Sequence, residues 1–184
     1  MKSIYFISLL ILLSTCVKKD SEGFWIFIIK EGKHRSVNKV KTINRDNIHF
    51  ELLLTNSCKY ESLNPMNQWD VNKIFGFSDG GGHKKNSARI GWRFVHNELQ
   101  LMAYTHYNGD FYFKKICVVN PDTYYDCRIN CLHDRYEFIV NSDTVYMDRY
   151  WIYSNRRYLL WPYFGGDEFA PHDVTIRVKL LDYI

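Results

Sequence analysis

The sequence has no apolar run beyond a single one at its N-terminus, Ile4–Leu13. A polytopic membrane protein is therefore excluded, since each helical span needs ~20 apolar residues. It has no strong charge of either sign: 24 Lys and Arg against 20 Asp and Glu give +4, scattered along the chain. That excludes the concentrated basic face of a nucleic-acid binder. No segment sustains a 3.6-residue apolar period, and no repeat or low-complexity tract appears, which leaves little room for helices or repeat arrays. At 46% hydrophobic and 24% charged residues the chain is not disordered, and 184 residues suit one domain.

What is present begins with an address. Lys2 precedes the apolar run, and Ser14 and Thr15 follow it, which is the order of a charged, an apolar and a small-residue processing region. The tetrapeptide Leu13-Ser14-Thr15-Cys16 resembles the lipobox of bacterial lipoproteins, and implies cleavage before Cys16 and acylation of that residue. Several acyl chains hold a protein to a bilayer far better than one. Residues 1–15 then form a signal peptide, 16–23 a lipidated tether, and 24–184 the single folded domain. The Lys18-Lys19-Asp20-Ser21-Glu22 stretch resembles the charged signals that send lipoproteins across the outer membrane. The expected location is the outer membrane, on the cell surface rather than the periplasmic face.

Such compartments permit disulfides. Cys58, Cys117, Cys127 and Cys131 allow three complete pairings. Cys117 and Cys127 can face each other if Asn120–Thr123 is a hairpin tip, and Cys127 and Cys131 can pair around a tight turn. A zinc site is not supported, because no CxxC pair repeats.

The body reads as strand after strand: Phe24–Lys30, Ile48–Thr55, Ser87–Phe94, Glu98–His106, Phe111–Val118, Tyr124–Ile129, Arg135–Val140, Thr144–Met147, Arg157–Phe164 and Val174–Leu181. His96-Asn97 and Asn108-Gly109 are turn signals between them. Only Asn67–Phe75 and Tyr150–Asn155 could host a helical turn. About ten short strands with regular turn signals predict an all-β, antiparallel two-sheet sandwich of jelly-roll or concanavalin-like type, with a closed β-barrel as the alternative. An outer-membrane barrel is excluded, since the Arg- and Lys-bearing faces would be costly against lipid.

In Ser87–Phe94, Ala88, Ile90, Trp92 and Phe94 alternate with Arg89, Gly91 and Arg93. If Glu98–His106 pairs beside it, Gln100, Tyr104 and His106 share the arginine face. The glycine-rich loop carrying His83 feeds the same strand. Guanidinium forks suit carboxylate or sulfate, and tyrosine faces suit sugar rings, so His83, Arg89, Arg93, Gln100, Tyr104 and His106 form a candidate glycan-binding groove. A second cluster, Trp161–Asp173, offers Asp167, Glu168 and Asp173 as weak candidates for calcium. No cofactor is implied. Templates such as Gly-x-Ser-x-Gly and His-Glu-x-x-His are absent.

The segments Lys73–Ser78, His83–Arg93 and Tyr163–Asp173 together resemble a family of uncharacterised lipoproteins of Gram-negative bacteria. The resemblance implies a concanavalin-like or jelly-roll sandwich and carries no established activity. Alginate lyases and glucanases share that architecture, but the Glu-x-Asp-x-x-Glu strand of the glucanases and the Gln-Ile/Val-His strand of the lyases do not occur here. The leading expectation is thus a non-catalytic lipid-anchored binder of an extracellular glycan. The alternatives are a glycan-cleaving enzyme, with Tyr104, His83 or His106 as base and Arg93 neutralising a uronate, or a structural lipoprotein with a protein partner.

Overall fold

Aromatic and β-branched residues at alternating positions favour a pleated, half-buried backbone. In the computed structural model, which describes residues 18–37, 39–150 and 156–181, they build twelve strands. These are β1 (Trp25–Ile29), β2 (Thr42–Ile43), β3 (Asn47–Leu54), β4 (Asn72–Ser78), β5 (Ser87–Val95), β6 (Glu98–Tyr107), β7 (Asp110–Val119), β8 (Tyr124–Cys131), β9 (Arg135–Val140), β10 (Asp143–Asp148), β11 (Arg157–Leu160) and β12 (Val174–Leu180). They form two six-stranded antiparallel sheets. The first runs β1-β12-β3-β8-β9-β10 and the second β2-β11-β4-β5-β6-β7. The sheets do not close on themselves, so the fold is the jelly-roll sandwich and not the barrel.

Turn chemistry sets the register that matters most. His96 and Asn97 both adopt positive φ (52° and 61°), as does the pair Asn108-Gly109 (50° and 107°). This is the backbone of a two-residue hairpin whose twist matches its strands. β5 and β6 consequently pair with Arg89 opposite Tyr104 and Arg93 opposite Gln100. One face of β5 then sends Ala88, Ile90 and Trp92 into the core, all fully buried. Trp92 packs edge-on to Phe164 and donates its indole N–H to the Cys58 carbonyl at 3.2 Å. From the other sheet Phe27, Phe50 and Phe138 close the same core. Each such burial contributes about 1.5–3 kcal/mol.

Several expectations change. Asn67–Phe75 holds a short 3₁₀ helix, Pro65–Trp69, but then becomes β4. That strand is buried on both faces, so it lacks the alternation that marks a half-wet strand. Arg157–Phe164 stops as a ladder at Leu160, and Tyr163 instead bridges singly to Lys73 and to Arg35. Asn120–Thr123 is not a hairpin tip: β7 and β8 lie in different sheets, and the turn carries the chain between them. Cys127 and Cys131 lie on one strand, four residues and hence ~13 Å apart, well beyond the ~7 Å that a disulfide spans. Cys58, Cys117, Cys127 and Cys131 are all free thiols. Burial pushes the Cys58 and Cys127 thiols far up, so they behave as small apolar groups. Residues 1–15, Cys16 and the Trp151–Asn155 part of the second expected helical turn lie outside the described residues.

One polar knot ties the sheets together. Asp79, fully buried just past β4, accepts hydrogen bonds from Arg149 Nε (2.6 Å), Arg157 Nε (2.9 Å) and the Tyr136 hydroxyl (2.9 Å). Burial alone would raise its pKa, but these donors and charges outweigh it and hold the carboxyl below its ordinary value.

Candidate functional site

The outer face of the second sheet carries a groove of about 560 Å³, crossed by β11, β4, β5 and β6. The hydrogen-bond ladder sets its rungs: Ser87 opposite His106 opposite Phe111, then Arg89 opposite Tyr104 opposite Phe113. Arg35, Lys39, Lys73, Lys84 and Arg89 line it, and among the described residues no Asp or Glu does.

Arg89 forms the floor. Its Nε is buried and has no hydrogen-bond partner among the described residues. An orphaned buried donor costs about 1–3 kcal/mol and calls for a partner or an explanation. Burial pushes the guanidinium down to about 10, against the pull of Tyr104 and Tyr158. Beside it, Lys73 Nζ donates to the Gly165 carbonyl at 3.1 Å and sits 4.9 Å from the Tyr104 ring centre. Burial, then Arg89, lowers Lys73 to about 8, with Asp70 opposing.

Two loops deliver these contacts. Lys73 and Tyr163 exchange both backbone hydrogen bonds at 2.8 Å, which docks the chain after β11 onto β4. Gly165 follows with φ +75°, and a Cβ there would stand 2.1 Å from the Glu168 carbonyl. Only glycine fits, and the turn aims the Gly165 carbonyl at Lys73. The second loop is the one with three glycines, in which His83 Nδ1 lies 2.8 Å from the Tyr158 hydroxyl.

Burial keeps Tyr104, His106 and His83 in the groove toward their neutral forms. Burial raises Tyr104 to about 12, and burial together with Arg89 lowers His106 to about 4. His106 Nδ1 is 3.1 Å from the Ser87 hydroxyl. His83 is lowered by burial and then by Arg89, Lys84 and Arg35. The positive charge of the groove therefore resides on its lysines and arginines.

Of the residues singled out from sequence, His83, Arg89, Tyr104 and His106 line this groove. Arg93 and Gln100 share the sheet face but not the cavity. Arg93 Nε donates to Gln100 Oε1 at 2.9 Å, and Gln100 Nε2 donates to Glu98 Oε2 at 2.8 Å. The face is also drier than its alternation suggested: Gln100 and Tyr104 are buried. The chain before β4 lies over β5, where a Cβ on Gly91 would stand 2.6 Å from Val71 Cγ1. Val71, Met102 and Tyr104 make a small core of their own there.

Two of the three calcium candidates, Glu168 and Asp173, are engaged with the chain itself, and Asp167 is exposed. Glu168 accepts from the Leu63 and Asn64 backbone and from Asn67 Nδ2, and Asp173 pairs with Lys30 at 2.5 Å. Among the described residues no three His, Cys, Asp or Glu side chains converge as a metal site. Sequence reasoning missed Lys73, Tyr158, Tyr163 and Arg35. The only available signal was Tyr163 standing just ahead of Gly165-Gly166.

No protein-family model and no curated protein matches the chain. Solved structures do match in fold. Alginate lyase AlyC3 aligns with a TM-score of 0.60 at 10% identity, covering 86% of this chain and 74% of the lyase. Its complex with dimannuronate aligns at 0.51 and 9%, covering 86% and 73%. The PL7 alginate lyase AlyA1 from Zobellia galactanivorans gives 0.55 and 11%, covering 87% and 76%. A family 16 endo-glucanase from Bacteroides ovatus gives 0.55 and 15%, covering 90% and 84%. At these identities the likeness establishes the jelly-roll architecture, and function rests on the groove itself.

Proposed function

We propose that this protein is a lipid-anchored envelope protein that binds an acidic glycan in the groove of the second sheet. One observation carries the reading: Arg89 is sunk at the groove floor among four further cations and, among the described residues, with no partner for its Nε and no lining carboxylate. Low-dielectric walls lined by one sign of charge focus the field, so an anion is drawn in and held. Tyr163 and Trp161, both half-buried where they line the groove, supply ring surface for a sugar. A uronate meets both requirements, and the likeness to an alginate lyase solved with dimannuronate supports that class. The anchor rests on Leu13-Ser14-Thr15-Cys16 and the apolar run before it.

A second reading is β-eliminative cleavage of the same ligand. It is favoured by Tyr104, His106 and Lys73 standing around Arg89, which takes the neutralising role first given to Arg93. A base there would remove the proton α to the uronate carboxylate, the electron pair would form the ring double bond, and the glycosidic C–O bond would break, its oxygen leaving with the bonding pair and taking a proton from a neighbouring acid or water. Hydrolysis by a carboxylate pair is disfavoured, because no Asp or Glu among the described residues lines the groove.

The deciding experiment incubates the detergent-extracted protein with a polyuronate and with a neutral glucan. Retention of the polyuronate, weakened by salt and without new ends, supports the binder. Unsaturated products establish the lyase. Equal retention of the neutral glucan, or no retention of either, overturns the acidic-glycan reading.

A further inference from the structure

We infer that Trp69, Arg93 and Phe113 form a second sugar-binding subsite that takes a further unit of the same acidic chain. The inference rests on the acidic-glycan reading and adds a place for the ligand outside the groove. Eleven of the large rings among the described residues are buried. Along one margin of the second sheet, however, Trp69 (48% exposed), Phe113 (42%) and Phe111 (60%) stay in water. Clustered exposed aromatics of this kind mark contact surfaces.

Arg93 lies among them. Its guanidinium centre is 5.4 Å from the Trp69 ring and 5.9 Å from the Phe113 ring. Gln100 fixes its Nε, and Glu98 in turn fixes Gln100, so the fork is held in one orientation. Its Nη groups have no hydrogen-bond partner among the described residues. Glu98 is the one acid in this chain of contacts, and its Oε2 already accepts from Gln100. The exposed Lys115, opposite Met102, adds a second cation on the same face. A flat ring beside a preset guanidinium is a receptor for a sugar bearing a carboxylate.

The shelf is separate from the groove yet continuous with it. Arg89 and Arg93 are four residues apart on β5, so their Cα atoms stand ~13 Å apart. Between them lies the rung of Gly91 and Met102, roofed by Val71. A single sugar cannot touch both arginines. The way from one to the other runs along β7, where Phe111 stacks on Tyr104 (6.1 Å between ring centres, 9° between planes) and Phe113 stands two residues on. An oligosaccharide lying over these rings reaches both.

The test is calorimetric titration of the detergent-extracted full chain with a uronate disaccharide and a uronate hexasaccharide. The wild type is expected to bind the hexasaccharide more tightly. Trp69→Ala and Arg93→Ala should each weaken the hexasaccharide roughly tenfold, the scale of one lost ring or charge contact, and leave the disaccharide unchanged. Arg89→Ala should weaken both lengths. If hexasaccharide affinity ignores the Trp69 and Arg93 changes, or if they weaken both lengths alike, the shelf is not a subsite. If the wild type binds both lengths equally, the shelf alone fails. If it binds neither, the acidic-glycan reading fails and takes the shelf with it.

Discussion

Arg89 and Tyr104 face each other across one rung of the second sheet, so a sunken guanidinium meets a phenol where a carboxylate would be expected. Arg89→Met should therefore abolish retention on a polyuronate while leaving stability equal or higher. The orphaned Nε costs about 1–3 kcal/mol, which the substitution removes. Urea unfolding beside a binding assay checks this. A stability loss on the scale of a broken ion pair would show that Arg89 has a structural partner.

Lys73 gives the groove a pH dependence. With its pKa lowered to about 8, it is charged below that pH and neutral above it. Affinity for an anion should fall as the pH rises through about 8. A bound anion favours the ammonium, so binding just above that pH should take up a proton. Titrations in buffers of different ionisation heat would detect the uptake. A flat profile from neutrality to well above this range would remove Lys73 from the site.

Neighbouring positions on β5 should differ sharply in stability. Trp92 is fully buried, and Trp92→Ala should cost about 3–5 kcal/mol. Arg93 lies half-buried on the outer face, and Arg93→Ala, which leaves the buried Gln100 oxygen without its donor, should cost only about 1 kcal/mol. Equal losses would contradict the face assignment.

Removing the central carboxylate should be severe. Asp79→Asn leaves Arg149 buried without its counter-charge and Arg157 with only the exposed Asp46, a loss of about 3–5 kcal/mol. Because the native pKa of Asp79 is depressed, its stabilisation is complete above the ordinary aspartate value. It drains away as the pH falls through the lower native one. Acid unfolding of the wild type should show this component below the usual carboxylate range, and Asp79→Asn should lack it.

Cys16→Ser should release the protein from the membrane fraction or block its processing. Intact-mass measurement of the wild type checks the premise. A mature chain without acyl mass would refute the anchor.

The sandwich was legible wherever apolar and polar residues alternate along a strand, even where, as in β6, both faces are buried. β5 and β6 alternate cleanly, and His96-Asn97 fixes their register, so Arg89, Tyr104 and His106 could be placed on one face from sequence alone. β4 was not legible, because apolar residues on both of its faces erase the alternation. Nor was the split between Arg89 and Arg93 legible, since it depends on Val71 roofing Gly91. That contact is between elements and leaves no period in either. Lys73, Tyr158 and Tyr163 reach the groove by the same kind of long-range docking.

The Asp79 knot also bears on how the groove meets a ligand. Arg157, which holds Asp79, directly precedes Tyr158. The Tyr158 backbone N–H donates to Ser78 Oγ at 3.1 Å, and its hydroxyl accepts from the His83 backbone N–H at 3.2 Å. One wall of the groove is thus anchored to the same buried charge that joins the sheets, and is set when the chain folds. An incoming oligosaccharide finds little protein order left to impose, so the entropy lost on association falls mainly on the sugar. Stiff glycans should accordingly be favoured over flexible ones of equal charge.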